Sequence, residues 1–259
     1  MRTILSLFTM LLLGVLLWQC NSREVTTEER IEEGKAPVAT ELSYQTKMVE
    51  MQSNPCGGGT PCASVYLSAP ILNDTSNPAQ QRIQQQIMKE MTRAFMEEEK
   101  FNNLNEVANG FIEAYRLTQG QNQDYEQSWS LTRSAEVYVN TDTLFGIRYS
   151  GSIFMGGAHP VETLRYLNFD PATVKLLTMD ELFGPARLKE WTVAAEVQFR
   201  EDQEIPAEAN LEEAGYWFSN NQFYLPENFE LKKDSVIFYF NPHEVAPYAA
   251  GTIRIALER

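Results

Sequence analysis

Apolar and polar residues alternate through Cys62–Leu72, with Val65, Leu67 and Ala69 on one parity and Ser64, Tyr66 and Ser68 on the other. A period of two marks a strand with one buried face. A polar turn, Asn73–Pro78, follows. Asn77 is placed to cap a helix that Pro78 opens, because a missing N–H costs nothing at that position. Ile83, Ile87, Met91 and Phe95 then recur every four residues. This stripe predicts a helix running to about Lys100, with its apolar face given to core packing and not to a cofactor. Leu104, Val107, Phe111 and Tyr115 predict a second helix that ends just before Gly120. Ser134–Phe154 reads as two long strands joined by a hairpin at Asn140–Thr143. A strand through Thr163–Asp170 comes next, then Thr178 and Glu181 at capping-box spacing. A helix over Ala186–Asp202 presents Leu188, Trp191, Ala195 and Phe199. Residues 206–218 read as a weaker helix or loop, and Ser235–Phe240 and Thr252–Leu257 as strands. This order predicts an α+β fold: antiparallel sheets with packed helices, in two intimately associated subdomains over 41–143 and 144–259.

The amino terminus follows other rules. Arg2 precedes an apolar run from Ile4 to Trp18. The run is shorter than the roughly 20 residues of a membrane span and has the form of a secretory signal. It stops at Cys20, and "LLWQC" resembles a bacterial lipobox, with Trp18 and Gln19 where small residues are usual. Residues 1–20 are therefore expected to be a lipoprotein signal peptide, with Cys20 as the acylated residue; an ordinary cleaved signal is the alternative. Two or three acyl chains would make a stable membrane anchor. Residues 21–40 hold only Val25, Ile31 and Val38 as large apolar residues, too few to fold alone. They are read as a flexible tether, with a binding tail as the other reading.

Charge and cysteines narrow the setting. The chain carries 35 acidic against 21 basic residues, a net −14 that becomes −15 when Arg2 leaves with the signal. Nucleic acid is thereby excluded as a partner, and a basic protein is compatible. Cys56 and Cys62 bracket three glycines and a proline in "NPCGGGTPC". In an oxidising compartment they are expected to form a disulfide. Free thiols are one alternative. A metal site is another, but it lacks ligands, since His159 and His243 are far away in sequence. No metal and no cofactor is expected.

Between two strand-like runs stands Gly156-Gly157-Ala158-His159-Pro160. Three readings compete. As a corner, the glycines supply backbone angles closed to other residues, and His159 pins the turn to backbone or to a nearby tyrosine. As a recognition loop, it contacts a ligand together with Tyr248. As a catalytic loop, His159 needs an orienting carboxylate and a nucleophile. Glu162, three residues along a strand, points to the opposite face. Pro242 and Pro247 bend the segment that carries His243 and Tyr248. The run Tyr216, Trp217, Phe218, Phe223 and Tyr224 reads as core; any exposed part becomes a platform for a glycan or a protein partner.

The segments "YSGSIFMGGAHPVETLRYLNFD", "LLTMDELFG" and "NFELKKDSVIFYFNPHEVAPYAAGTIRIAL" resemble, in order and spacing, an uncharacterised extracytoplasmic family. It is the domain pair shared by the extracellular part of the RsiV anti-sigma factor and the amino-terminal region of the PdaC deacetylase. The likeness is stronger over 145–258 than over "ASVYLSAPIL" and the two helices. It implies an α+β fold outside a membrane. One branch recognises lysozyme, another accompanies peptidoglycan-modifying enzymes. His243 stands where the family often has an aromatic residue. No sigma-factor-binding segment, no transmembrane helix beyond the signal and no deacetylase catalytic domain is recognised, so neither signalling nor deacetylation carries over. The expectation is a lipid-anchored module of the bacterial cell envelope, facing the periplasm or the surface. It would bind a lysozyme-like muramidase or a cell-wall glycan through Gly156, Gly157, His159, His243 and Tyr248. No residue is assigned as catalytic; an envelope hydrolase or deacetylase with an unrecognised site is the alternative.

Overall fold

The computed structural model describes residues 28–33, 41–97, 99–122 and 125–259. Cys20 and the signal lie outside them. The chain builds two lobes. The first is a seven-stranded sheet in sequential order: β1 (Glu28–Glu33), β2 (Tyr44–Gln52), β3 (Ala63–Leu72), β4 (Trp129–Asn140), β5 (Phe145–Phe154), β6 (Val161–Asp170) and β7 (Lys175–Leu176). All neighbours are antiparallel except β3 and β4, which run parallel and are connected through the helices α1 (Pro78–Met91) and α2 (Leu104–Gln121). The second lobe is a three-stranded sheet of β8 (Phe229–Leu231), β9 (Ser235–Phe240) and β10 (Ile253–Glu258), covered by α3 (Met179–Asp202). The fold is α+β, as the pattern predicts.

Local chemistry explains the elements. Asn77 Oδ1 accepts from the Ala79 N–H at 2.8 Å, and Pro78 opens α1. The helix stops at Met91, short of the expected Lys100. There the Thr92 hydroxyl donates to Met88 O, and buried Arg133 donates to Met91 O at 2.8 Å. Phe95 leaves the stripe and packs 5.2 Å from Phe101 and 5.3 Å from Phe111. In α2, Glu106 accepts from the Asn102 N–H while Asn103 Oδ1 accepts from the Glu106 N–H, a reciprocal cap. Gly120 lies within α2 rather than beyond it. The Thr178 N–H donates to Glu181, as the capping-box spacing predicts, so a helical turn precedes the expected start at Ala186. Gly184, at φ 71°, then kinks the helix before Pro185.

Two boundaries differ from the sequence reading. Glu28–Glu33, inside the expected tether, pairs antiparallel with β2. The expected boundary at 143/144 falls in the β4–β5 hairpin, within one continuous sheet. The change of sheet comes later, between Leu176 and Phe229. Cys56 and Cys62 are disulfide-bonded, with Cα atoms 5.5 Å apart, closing the turn between β2 and β3.

β7 pairs with β6 only at Phe169 and Asp170, so most of that edge of β6 has no strand beside it. Side chains from the second lobe take its place. The Leu164 N–H donates to Asn241 Oδ1 at 2.6 Å. Asn228 accepts from the Tyr166 N–H at 2.8 Å and donates to Leu164 O at 2.7 Å. One amide side chain thus acts as the N–H and C=O of a missing neighbour. Beneath it, buried Asn168 donates to Phe229 O at 2.9 Å and accepts from the Tyr138 hydroxyl. Tyr239 stacks on Tyr166 at 5.1 Å and donates to buried Glu230 at 2.8 Å. Burial pushes the Tyr138 and Tyr239 phenols well above their ordinary value, so both remain neutral donors.

Candidate functional site

The β5–β6 corner projects from the first lobe toward the 241–250 segment of the second. Gly156 and Gly157 sit at φ 93° and 107°, in the region that favours glycine. A Cβ on Gly156 would also lie 2.4 Å from Gln127 Oε1 and 2.7 Å from the Tyr125 hydroxyl. The corner is anchored from below: the Gly157 N–H donates to Gln127 Oε1, Tyr125 to Met155 O, and the Trp129 indole to Tyr125 at 2.6 Å.

Above that anchor His159 is exposed, its Nδ1 3.0 Å from Pro160 O. Its ring stacks on Tyr248 with centroids 3.8 Å apart and planes within 9°. His243 lies 5.4 Å from His159 and 5.7 Å from Tyr248. Trp217 extends the group, 6.3 Å from His243 and within 10° of its plane. The result is a ledge of four rings, drawn from three segments far apart in sequence, at the junction of the lobes. Trp217 is 50% exposed. Its backbone N–H donates to Val245 O at 2.8 Å, fixing its place beside the histidine segment. His243 adopts φ 65°, a left-handed conformation unusual for a side-chain-bearing residue.

Of the five expected contact residues, His159, His243 and Tyr248 therefore meet, with Gly156 and Gly157 in the corner that carries His159. Trp217 belongs with them, although the sequence reading placed it in the core. Its run is split by the structure: Phe218 and Phe223 are buried, while Trp217 and Tyr224 face out. The parity of Trp217 against Phe218 carried that signal. Glu162 lines a neighbouring hollow. No hydrogen bond links it to His159 among the described residues. Among the described residues, no three of His, Cys, Asp and Glu converge as a metal site. Glu244, next to His243 in sequence, and Glu212 and Glu213, a few residues before Trp217, are all exposed. The chemistry on offer is ring stacking, apolar contact and attraction for cations.

The fold defines an α+β domain pair whose two parts match two separate families, one of unknown function. Residues 57–162 match the family described as "Deacetylase PdaC", and residues 180–259 the "Protein of unknown function (DUF3298)". The pair stands in the expected order. A crystal structure of a DUF3298-family protein from Bacteroides fragilis aligns with a TM-score of 0.66 and 20% identity, over 85% of this chain and 91% of that one. One from Pseudomonas aeruginosa PAO1 gives 0.59 and 19%, over 91% of each. The immunogenic proteins MPT64 of Mycobacterium tuberculosis and MPB64 of Mycobacterium bovis are 31% identical over 110 residues. That stretch is 40% of this chain, which spans 44% of the length of those relatives.

Proposed function

We propose that the chain is a cell-envelope binding module, anchored through lipid on Cys20, that recognises a basic muramidase-type protein through the ring ledge. The observation that carries this reading is the ledge itself. Trp217, His243, His159 and Tyr248 are stacked and held in place, and three of the four are exposed. Rigid aromatic anchors suit the centre of an interface. A net charge of −14, or −15 once Arg2 has left with the signal, steers a basic partner toward it. The family resemblance to a lysozyme-recognising branch supplies the probe.

The test is binding of the full chain to lysozyme, followed kinetically across salt concentration. Association is expected to slow with salt. Trp217→Ala is expected to cost about 2 kcal/mol or more of affinity, as at an interface hot spot, while the melting temperature stays put. Absence of binding, or binding indifferent to Trp217→Ala, would overturn the assignment.

A further inference from the structure

A second recognition surface lies on the outer face of the first sheet, away from the helices. Cross-strand pairing places Glu50, Tyr66, Thr132, Ser152 and Glu162 in one row across β2 to β6. Four strand spacings make that row on the order of 19 Å long. Two hollows occupy this face and share Thr132, so they form one trough. One, of about 290 Å³, is floored by Thr132, Ser150 and Ser152 and walled by Asn241, Pro242 and Thr252 of the second lobe. The other, of about 480 Å³, lies between Glu50, Gln52, Ser64 and Tyr66.

Some hydroxyls elsewhere are engaged: Thr92 donates to Met88 O, Thr118 to Ala114 O and Thr192 to Leu188 O. Among the described residues, nothing donates to or accepts from the hydroxyls of Thr132, Ser150, Ser152 and Thr252. Small side chains from separate elements thus leave their donors and acceptors pointing into a walled space. Tyr66 is 37% exposed and supplies an aromatic face at one end. Charge is mildly acidic: Arg148 pairs with Glu136 at 3.7 Å, while Glu50 and Glu162 mark the ends of the row. Polyanions are disfavoured there, and a partner rich in hydroxyls is favoured.

We propose that this trough binds a neutral oligosaccharide, its sugar hydroxyls meeting Thr132, Ser150 and Ser152 and one ring lying on Tyr66. Pro242 joins the trough to His243 of the ledge, yet the two surfaces share no side chain. Failure here therefore leaves the ledge reading intact, and the reverse holds too.

The experiment is calorimetric titration of the full chain with β-1,4-linked N-acetylglucosamine tetramer, cellotetraose and maltotetraose, beside a sulfated tetrasaccharide. At least one neutral tetramer is expected to bind saturably, and the sulfated one more weakly. The double variant Thr132→Val/Ser152→Ala is expected to lose about tenfold in affinity, since two hydrogen-bonding groups are removed. Its thermal unfolding should match the parent's, and Trp217→Ala should bind the tetramer as the parent does. Amide resonances of β3 to β6 should shift on titration. No saturable binding by any neutral tetramer overturns the proposal. So does tighter binding of the sulfated sugar, or sensitivity to Trp217→Ala without sensitivity to the double variant.

Discussion

The two lobes differ in the share of their interiors given to rings: rings such as Phe111, Tyr115, Trp129 and Phe169 are a minority in the first core, while rings are nearly half of the second. In the first, Val49, Leu67, Ile83, Ile87, Val107 and Ile147 are fully or almost fully buried between a broad sheet and two helices. In the second, Phe199, Phe218, Phe223 and Phe240 touch one another in a continuous chain of rings, and Trp191 packs 6.0 Å from Phe238. A three-stranded sheet with one helix offers few inward positions. Rings of 150–250 Å² each supply burial that strand number does not. The small lobe therefore concentrates its stability in few side chains, and it leans on β6 through Asn228 and Asn241.

That contrast can be broken or sharpened by experiment. Phe218→Ala is expected to cost about 3–5 kcal/mol. Amide exchange should then rise in β8 to β10 while β3 to β5 keep their protection; uniform loss would erase the distinction between the lobes. Asn228→Ala strips partners from Leu164 O and the Tyr166 N–H and is expected to cost about 1–3 kcal/mol. The urea midpoint measures it, and faster exchange at the Tyr166 amide locates it at the seam. Replacing Cys56 and Cys62 by serine is expected to cost about 2 kcal/mol, as for a short loop. That loss should lower the first lobe's transition alone.

The smallest effect is acid. Lys175 and the Thr178 backbone hold Glu181, in the second lobe, below its ordinary carboxylate value, and the Asn102 backbone does the same for Glu106 in the first. Depressed folded values mean stability that is present above about pH 4.3 and fades as pH falls through the folded values. Glu181→Gln and Glu106→Gln should each flatten that acid limb, read as melting temperature against pH.

The parts legible from sequence were those where one period persists. Val65, Leu67 and Ala69 named β3, and Ile83, Ile87 and Met91 named α1. β2 went unread because Lys47, on the parity of Val49 and Met51, and Met48, on that of Glu50 and Gln52, blur its alternation, and β8 because three residues hold no period. At the site, Gly156, Gly157, His159, His243 and Tyr248 were legible as chemistry but not as neighbours. About 80 residues separate the two histidines, and only the docking of the lobes brings them together. Trp217 was hidden because an aromatic run looks like core until one ring is seen to face out.

The amide side chains that stand in for a strand beside β6 have a further consequence. An uncovered sheet edge is a template on which another chain can add a strand. Asn228 and Asn241 occupy that template from within the same molecule, so lobe docking also guards against self-assembly. Loosening the second lobe would bare the Leu164–Asn168 backbone before the first lobe melts. A partly opened molecule, rather than the unfolded chain, would then be the species that seeds precipitates.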